Sequence, residues 1–234
     1  MTDFNQRSYK KELLDKEDIP FGDIQKNMRE LNLINKFLGG HIITLKGLKK
    51  IIENKSRSIV ICEIGCGGGD NLYAIHTWAK KNKIDINLIG IDIKKECIKF
   101  AKESLPANKF NFICSDYKEV KFDNPPDIIF SSLFCHHFTN EEIIDMLVWM
   151  KQNSAMGFFI NDLHRHIIAY HFIRLATKLF SKSYLVKNDA PLSVLRGFKK
   201  SEWKKLLQDA SLNNYAVEWC WAFRYLITYQ NESA

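Results

Sequence analysis

The sequence lacks the features of a membrane or secreted protein. No stretch approaches the roughly 18 consecutive uncharged apolar residues that a membrane-spanning helix requires. The first part of the chain is polar and contains no apolar core of the kind that secretory signals have. From these two absences we expect a protein without a secretion signal that acts in the cytoplasm.

Cysteine is scattered. The six cysteines form no CxxC pair and show no His/Cys spacing typical of a zinc site. They stand at positions 62, 66, 97, 114, 135 and 220. We therefore expect reduced, buried thiols and no structural zinc.

The positive charge is not concentrated in one place. The formal net charge is +7, but many of the lysines occur as short pairs beside acidic or apolar residues on predicted helices. A nucleic-acid-binding surface usually gathers its basic residues on one face. We interpret the pairs as solvated helix faces and expect no nucleic-acid partner, although a diffuse attraction to acidic partners stays open.

The sequence does contain a regular alternation of two patterns. Apolar runs of strand length alternate with stretches whose apolar residues recur at helical spacing. The strands are predicted at 58–64, 86–92, 109–115, 126–132 and 155–163, and the helices at 71–81, 94–104 and 140–152. Such βαβ units build a parallel sheet with helices on both faces. Residues 215–229 add two further strands, so we predict an α/β fold with a mostly parallel seven-stranded sheet and an antiparallel C-terminal edge strand.

The remaining segments flank this alternation. Helical patterns cover 23–41, ended by Gly39 and Gly40, and 44–54, 164–180 and 201–210, whereas 181–198 has the mixed character of a loop or lid. Residues 1–57 are too short to hold their own core. We therefore predict an N-terminal helical lid segment, 1–57, over the ligand edge of a domain at 58–234, with 181–198 as its substrate-side insert.

A glycine-rich loop follows the first predicted strand, in the string Glu63-Ile64-Gly65-Cys66-Gly67-Gly68-Gly69-Asp70. Such a loop places backbone amides and a helix N-terminus beside a ligand. Loops that bind NAD have the spacing G-x-G-x-x-G. Here Asp70 occupies the place of the last glycine and would put a negative charge beside a pyrophosphate, which disfavours a dinucleotide.

The pattern E-x-G-x-G-x-G, from Glu63 to Gly69, resembles the first motif of the class I methyltransferases. Asp92 and Asp116, after the second and third strands, match the same family in order and position. The resemblance implies a Rossmann-like fold and S-adenosylmethionine as cofactor, with its ribose on Asp92 and its adenine on Asp116. The candidate cofactor-binding residues are Glu63, Gly65, Cys66, Gly67, Gly69, Asp92, Ile93, Ser115, Asp116, Tyr117 and Ser132. A cofactor-free domain with glycine turns is the alternative.

The stretch from Asn161 to Trp203, "NDLHRH…NDAPLSVLRGFKKSEW", resembles a bacterial subgroup related to the ubiquinone/menaquinone methyltransferases. Members of that subgroup are associated with phenolic polyketide or lipid-quinone products. The resemblance implies a small aromatic acceptor, phenolic or quinol, with the insert forming part of its pocket. The candidate substrate-binding residues are His164, His166 and Arg196, although Arg196 fits a salt bridge in a lid equally well.

Two adjacent histidines, His136 and His137, follow the fourth predicted strand. Histidine exchanges a proton near neutral pH, so either residue suits a general base acting on an acceptor hydroxyl. The structural alternative is that one of them caps the next helix or packs beside Phe134 and Phe138. We interpret the protein as an O-methyltransferase with a histidine base. Methylation of a quinol ring carbon, methylation of RNA or protein, and a cofactor-binding pseudoenzyme are the alternatives.

We expect no metal ion. Metal-dependent catechol-type methyltransferases need an aspartate after the fourth strand and an Asp-Asn pair after the fifth. Here the fourth strand ends in Ser131 and Ser132, and the fifth offers only Asn161 and Asp162. Two hard oxygen ligands without a third make a poor Mg²⁺ site.

The predicted helix 164–180 has a basic side beside apolar residues. This composition fits a packed helix with a solvated basic side. It also fits contact with a lipophilic substrate or a transient contact with a membrane surface. The sequence leaves the oligomeric state open.

Overall fold

The computed structural model describes residues 3–16, 18–52, 58–106 and 108–231. Its strands form one seven-stranded sheet in the order β3-β2-β1-β4-β5-β7-β6. The strands are β1 Ile59–Ile64, β2 Ile86–Asp92, β3 Phe110–Cys114, β4 Ile128–Ser132, β5 Gly157–Leu163, β6 Tyr215–Cys220 and β7 Arg224–Gln230. The first five strands are parallel, and β7 runs antiparallel between β5 and β6. The predicted fold class, sheet and antiparallel C-terminal strand are confirmed.

Helices cover both faces of this sheet. They are α1 Phe21–Phe37, α2 Gly40–Ile51, α3 Asp70–Asn82, α4 Lys95–Ser104, α5 Asn140–Asn153, α6 Ile167–Phe180, α7 Tyr184–Arg196 and α8 Lys200–Asp209. Apolar residues of α2, α3 and α4 pack on one face, and those of α5 and α8 pack on the other. Because both faces are covered, neighbouring residues of one strand can both be buried; Ile61 joins the first core and Cys62 the second.

The helix α2 is part of the domain's layered structure. A Cβ atom added at Gly47 would come within 2.6 Å of the Phe159 ring, so the helix backbone lies directly against β5. The sequence analysis placed α2 over the ligand edge with the rest of residues 1–57, and this placement is wrong for α2. The predicted boundary at residue 57 falls within 53–57, outside the described residues.

The junction between α1 and α2 also differs from the prediction. The first helix ends at Phe37, and Gly39 adopts a left-handed conformation with φ 73°, after which α2 starts at Gly40. The glycine pair therefore joins two helices, and its second member belongs to α2. Glycine suits this place because other residues adopt a positive φ only at a cost.

Residues 181–198 form mainly a helix, α7, where the sequence predicted a loop or lid. The Ser183 hydroxyl accepts a hydrogen bond from the Val186 amide and caps the helix, which continues through Pro191. Asp189 accepts hydrogen bonds from the backbone amides of Leu13 and Leu14. Polar residues that suggested a loop instead make tertiary contacts, which local sequence patterns do not reveal.

The helix α6 starts at Ile167 rather than at residue 164. His164 pairs with Phe198 in an isolated parallel bridge, and the His166 ring accepts a hydrogen bond from the Ile168 amide as the N-cap. Within the described parts of the chain, every helix is too short or too polar to cross a bilayer.

Candidate active site

A cavity of about 1760 Å³ lies at the carboxyl ends of the parallel strands. Its wall includes residues 9–15 of the N-terminal segment, the glycine loop and the loop after β4, together with parts of α1, α6 and α7 and the β6–β7 turn. The segment before α1 and α1 itself therefore cover the ligand edge, where a lid was expected. Whether they move stays a prediction.

The glycine loop is shaped by two demands on its backbone. Gly65 and Gly69 have φ values of 66° and 76°, and Gly69 is the N-cap of α3. A Cβ atom at Gly65 would also lie 2.2 Å from the Phe134 ring. Glycine meets both the positive φ and the close approach, so the loop passes tightly under the loop after β4.

Glu63 lies buried at the base of the glycine loop. One of its carboxyl oxygens accepts a hydrogen bond of 3.0 Å from the Asn71 amide, and the other has no hydrogen-bond partner among the described residues. Burial raises the pKa of Glu63 well above its usual value, and the nearby charges of Asp70 and Asp92 add to the effect. The free oxygen is a ready acceptor for a cationic group in the cavity.

Asp92 ends β2 and lines the same cavity. Its carboxylate accepts hydrogen bonds from the backbone amides of Gly67, at 2.9 Å, and Lys94, at 2.8 Å. These bonds fix the acid against the glycine loop. The other predicted cofactor residues that line the cavity are Gly65, Cys66, Gly67, Ile93 and Ser132.

The predicted adenine-binding stretch is not part of this cavity wall. Ser115, Asp116 and Tyr117 are absent from the lining residues. The Asp116 carboxylate accepts a hydrogen bond from the Lys118 amide and caps a short 3-10 helix. Tyr117 is buried with its ring edge-on to Phe134, behind the wall. An adenine role for these three residues stays a prediction.

Arg224 is a cavity residue that the sequence analysis missed. Its side chain is buried, and one guanidinium nitrogen donates to the Asn35 side chain at 3.0 Å. The other two nitrogens have no partner among the described residues. Burial lowers the pKa of Arg224 to about 10, still far above neutrality. The sequence signal that could have indicated a binding role is a single arginine at the start of the apolar strand β7. An unpaired charge is rarely buried, so a buried arginine there suggests a ligand.

His136 is held by a buried aspartate. Its Nδ1 lies 2.7 Å from Asp162 Oδ1, and its backbone amide donates to Asp162 Oδ2 at 3.2 Å. Burial alone would raise the pKa of Asp162, but the charge and hydrogen bond of His136 lower it below its usual value. An ionised Asp162 therefore orients the ring and leaves Nε2 as the nitrogen available for chemistry.

His137 is paired in the same manner with a different acid. Its Nδ1 lies 3.2 Å from Asp15 Oδ1, and its Nε2 lies 3.9 Å from Glu12 Oε2. Burial opposes ionisation of Asp15, but the contact with His137 lowers the pKa of that carboxyl to about 2. Both histidines could be predicted from the sequence and both acids could not, because nothing in the polar N-terminal stretch distinguishes Glu12 and Asp15 from solvated acids.

Glu12 brings the two histidines into one group. His136 Nε2 lies 3.7 Å from Glu12 Oε1, which also accepts a hydrogen bond from the Ser193 hydroxyl at 2.7 Å. Burial raises the pKa of Glu12. In the described part of the chain, Glu12, His136 and His137 are the one set of three side chains placed closely enough to hold a metal ion. The prediction that no metal binds rests only on the residues after the fourth and fifth strands. It does not cover this group.

Two arginines fasten the N-terminal segment over the histidines. Arg7 donates to the carbonyls of Phe138 and Arg196 and to the Asn140 side chain. Arg196 donates to the carbonyl of His136 at 2.9 Å and lies 3.6 Å from Asp15. Arg196 lines the cavity, and its described contacts position the backbone of residues 133–138 after β4, which we call the histidine loop. A substrate-binding role for Arg196 stays a prediction.

Neither of the predicted substrate histidines in the fifth-strand loop lines the cavity. His164 accepts a hydrogen bond from the Trp219 indole at 3.3 Å, and His166 caps α6. Burial, with the charges of neighbouring basic groups, lowers the pKa of His164 to about 4. Both residues therefore serve the local structure in the described geometry.

The cavity wall also contains strained backbone. Leu133, directly after β4, has φ 55°, and Ala222 and Phe223 in the β6–β7 turn have φ 60° and 55°. Such conformations cost non-glycine residues free energy and concentrate at functional sites. All three residues line the cavity.

Residues 61–153 match the family described as a methyltransferase domain. No curated protein matches the sequence. Many solved structures share the fold, among them the following two. The plantazolicin methyltransferase BpumL, in complex with SAH, is 18% identical with a TM-score of 0.64, over 91% of this chain and 89% of its own. The magnesium protoporphyrin IX methyltransferase ChlM from Synechocystis PCC 6803, with bound SAM, is 13% identical with a TM-score of 0.54, over 93% and 86%.

The methyltransferase domain matched by residues 61–153, the strand order and the acid-lined glycine loop agree with the Rossmann-like fold of class I methyltransferases. The protein is an S-adenosylmethionine-dependent enzyme. The free oxygen of Glu63 and the free nitrogens of Arg224 fit the amino and carboxylate groups of that cofactor's methionine end.

Proposed function

We propose that the protein methylates the hydroxyl of a small phenol or quinol, with His136 as the general base. The observation that carries this proposal is the 2.7 Å contact between His136 Nδ1 and the buried Asp162 at the cavity wall. A base oriented by a buried acid is a recurrent arrangement for taking a proton from a hydroxyl. The resemblance of the stretch from Asn161 to Trp203 to the quinone-related subgroup supports an aromatic acceptor.

The charges of the cavity residues suggest which of them bind the charged groups of the cofactor. Glu63 offers a carboxyl oxygen to the cofactor's amino group, and Arg224 offers two guanidinium nitrogens to its carboxylate. Asp92, held by the Gly67 and Lys94 amides, faces the cavity where the ribose hydroxyls would bind. When bound, S-adenosylmethionine supplies an electrophilic methyl group on a sulfonium and leaves as S-adenosylhomocysteine.

The acceptor-side residues remove a proton and exclude water. The hydrogen bond to Asp162 holds a proton on Nδ1 of His136, so Nε2 is free to accept one. Nε2 takes the proton of the acceptor hydroxyl as the oxygen attacks the methyl carbon. Glu12, 3.7 Å from that nitrogen, stabilises the resulting imidazolium. Arg7 and Arg196 hold the surrounding backbone, and the N-terminal segment covers the group. Alignment of the two reactants in the cavity provides much of the rate.

The first experiment is calorimetric titration of the protein with S-adenosylmethionine and, separately, with NADH. We expect binding of the first alone and a large loss of affinity in the Asp92→Ala variant, which should still fold. A panel of phenols and quinols then identifies the acceptor by mass spectrometry of the product. Transfer to RNA or to proteins instead of phenols would contradict the proposed acceptor, and cofactor binding without transfer to any acceptor would indicate a pseudoenzyme.

Treatment with a chelator distinguishes proton removal by a histidine base from a reaction assisted by a metal ion. Glu12, His136 and His137 are close enough to hold an ion, whereas the proposed proton transfer needs none. We therefore expect full activity after EDTA treatment and dialysis. As to location, we propose that the protein acts in the cytoplasm. Activity lost to EDTA and restored by a divalent ion would overturn the histidine base.

A further inference from the structure

The helix α6 has apolar residues on an exposed side as well as on its buried side. Its inner side packs through Ala169 and Ile173. A second apolar stripe, at spacing i, i+4, i+7 and i+11, is 57% to 64% exposed. This stripe consists of Ile168, Phe172, Leu175 and Leu179. Helices on the surface of a globular protein normally bury their apolar stripe, so the exposed stripe has no partner within the described chain.

Further exposed apolar residues lie beside one mouth of the cavity. Phe37, Ile42 and Trp221 are each at least 70% exposed. Trp221 is next to the junction of α1 and α2, since a Cβ atom at Gly39 would lie 3.8 Å from its ring. We call these three residues, with the exposed stripe of α6, the apolar rim.

The apolar rim is continuous with the cavity. Ile168, Phe172 and Trp221 belong to the rim and also line the cavity wall. The inner side of α6 contacts Ile34 and Leu38 of α1, so the helix and the end of α1 are neighbours at this mouth. The rim and the cavity wall therefore share apolar side chains that a lipophilic molecule can contact as it enters.

The charge beside the rim indicates an anionic partner. His171, Arg174 and Lys178 are exposed and lie on the side of α6 next to the apolar stripe. The helix contains no acidic residue, and the whole chain has a formal net charge of +7. An exposed apolar stripe beside basic residues is the composition of helices that lie in the plane of an anionic membrane surface.

We propose that the apolar rim docks on the surface of an anionic lipid bilayer, from which a lipophilic phenol or quinol enters the cavity. The identity of the entering molecule rests on the proposed function. In this arrangement α6 lies in the interface with Phe172, Leu175 and Leu179 among the acyl chains. Arg174 and Lys178 contact lipid phosphates, and the mouth of the cavity faces the bilayer.

Vesicle co-sedimentation tests the docking directly. The full chain is mixed with vesicles of phosphatidylcholine alone or of phosphatidylcholine with phosphatidylglycerol. We expect binding to the mixed vesicles that weakens with salt. Leu175→Asp with Leu179→Asp should reduce it by about tenfold or more, because each change removes apolar burial and adds an anion. Gln152→Asp with Gln208→Asp, at exposed positions of α5 and α8, adds the same charge and should retain most of the binding.

A second pair of changes separates charge from apolar burial. Arg174→Gln with Lys178→Gln should weaken binding to the phosphatidylglycerol vesicles and lessen its salt dependence. The absence of vesicle binding by the native protein would overturn the inference, as would equal losses in the rim variant and its control. Light scattering that shows a dimer which the rim variant dissociates, with vesicle binding unchanged, would assign the rim to a second copy and also overturn it.

Methyl transfer distinguishes failure of docking from failure of the proposed function. Leu175 and Leu179 do not line the cavity, so the rim variant should methylate a water-soluble phenol at the native rate. Its rate on a long-chain alkylphenol carried in the mixed vesicles should fall in parallel with vesicle binding. Vesicle binding without transfer to either phenol would contradict the proposed function and leave the docking surface supported, whereas equal rates of both variants on the vesicle substrate would contradict docking alone.

Discussion

The two sides that we propose for the cavity, one for the cofactor and one for the acceptor, are built in different ways. On the cofactor side, Glu63, the glycine loop and Asp92 follow one another along the chain at the ends of the adjacent strands β1 and β2. On the acceptor side, Glu12, His136 and Asp162 come from three distant parts of the sequence. The first side needs only the order of a parallel sheet, whereas the second needs correct packing of the N-terminal segment.

This difference indicates how each side should respond to change. The cofactor side is held by short-range bonds such as that from the Gly67 amide to Asp92. The acceptor side is held by the long-range bonds of Arg7 and Arg196 to the histidine loop. We therefore expect variants to separate cofactor binding from methyl transfer.

The largest separation should come from His136→Gln. Removal of the base should lower kcat by about 10²- to 10⁴-fold, the usual contribution of a positioned general base. Cofactor affinity, measured by calorimetry, should stay at the native value because the glycine loop is unchanged. The matched variant His137→Gln should lose much less, since its ring is held by Asp15 rather than by Asp162. Equal losses in both variants would contradict the assignment of His136.

The next effect should appear on the cofactor side with Arg224→Met. Loss of a charge-assisted bond to the cofactor carboxylate should weaken binding by about 10- to 100-fold. Decarboxylated S-adenosylmethionine provides the control, because it lacks the group that Arg224 would bind. The native protein and the variant should bind this analogue equally in calorimetry. A further loss in the variant would mean that Arg224 acts through the fold and not through the carboxylate.

A smaller effect should follow from Arg7→Gln. Arg7 contacts no part of the glycine loop in the described structure, but it donates to carbonyls of the histidine loop. We expect kcat to fall by about tenfold through loss of alignment, with cofactor affinity unchanged. Lys151→Gln, at an exposed site on α5, removes the same charge and should have no effect on either. A parallel loss of cofactor affinity would show that the two sides are not independent.

The smallest effect is the pH dependence of cofactor binding. The raised pKa of Glu63 means that its carboxyl holds a proton in the free protein at pH values where a free glutamate is ionised. Binding of the cationic amino group favours the ionised form, so protons are released and affinity rises with pH, by at most about tenfold per unit.

Calorimetry in buffers of different ionisation enthalpy measures this release. It should be done at least about one unit below pH 7.7, the usual pKa of an α-amino group, so that the cofactor's own amino group stays protonated. Glu63→Gln should abolish the release and the pH dependence together. Proton release that persists in this variant would assign it to another group.

The sequence predicted the two sides unequally, for the same structural reason. The α/β class, the alternation of strands and helices and the acids at Glu63 and Asp92 could be predicted because each depends on local periodicity and on position near the end of a strand. The roles of Glu12 and Arg224 could not, since they arise from contacts between residues far apart in the chain. The helix α7 was missed because Pro191 and its polar neighbours favour a loop locally, whereas tertiary contacts of Asp189 stabilise a helix.

The position of β7 in the sheet has a consequence for folding of the chain. It is the last strand in sequence but pairs with β5 on one side and β6 on the other. Until β7 is in place, the edge of β5 that carries Phe158 and Ile160 has no strand beside it. An unpaired edge of this kind invites pairing with other chains. The folding chain is therefore vulnerable to aggregation in the interval before β7 is inserted.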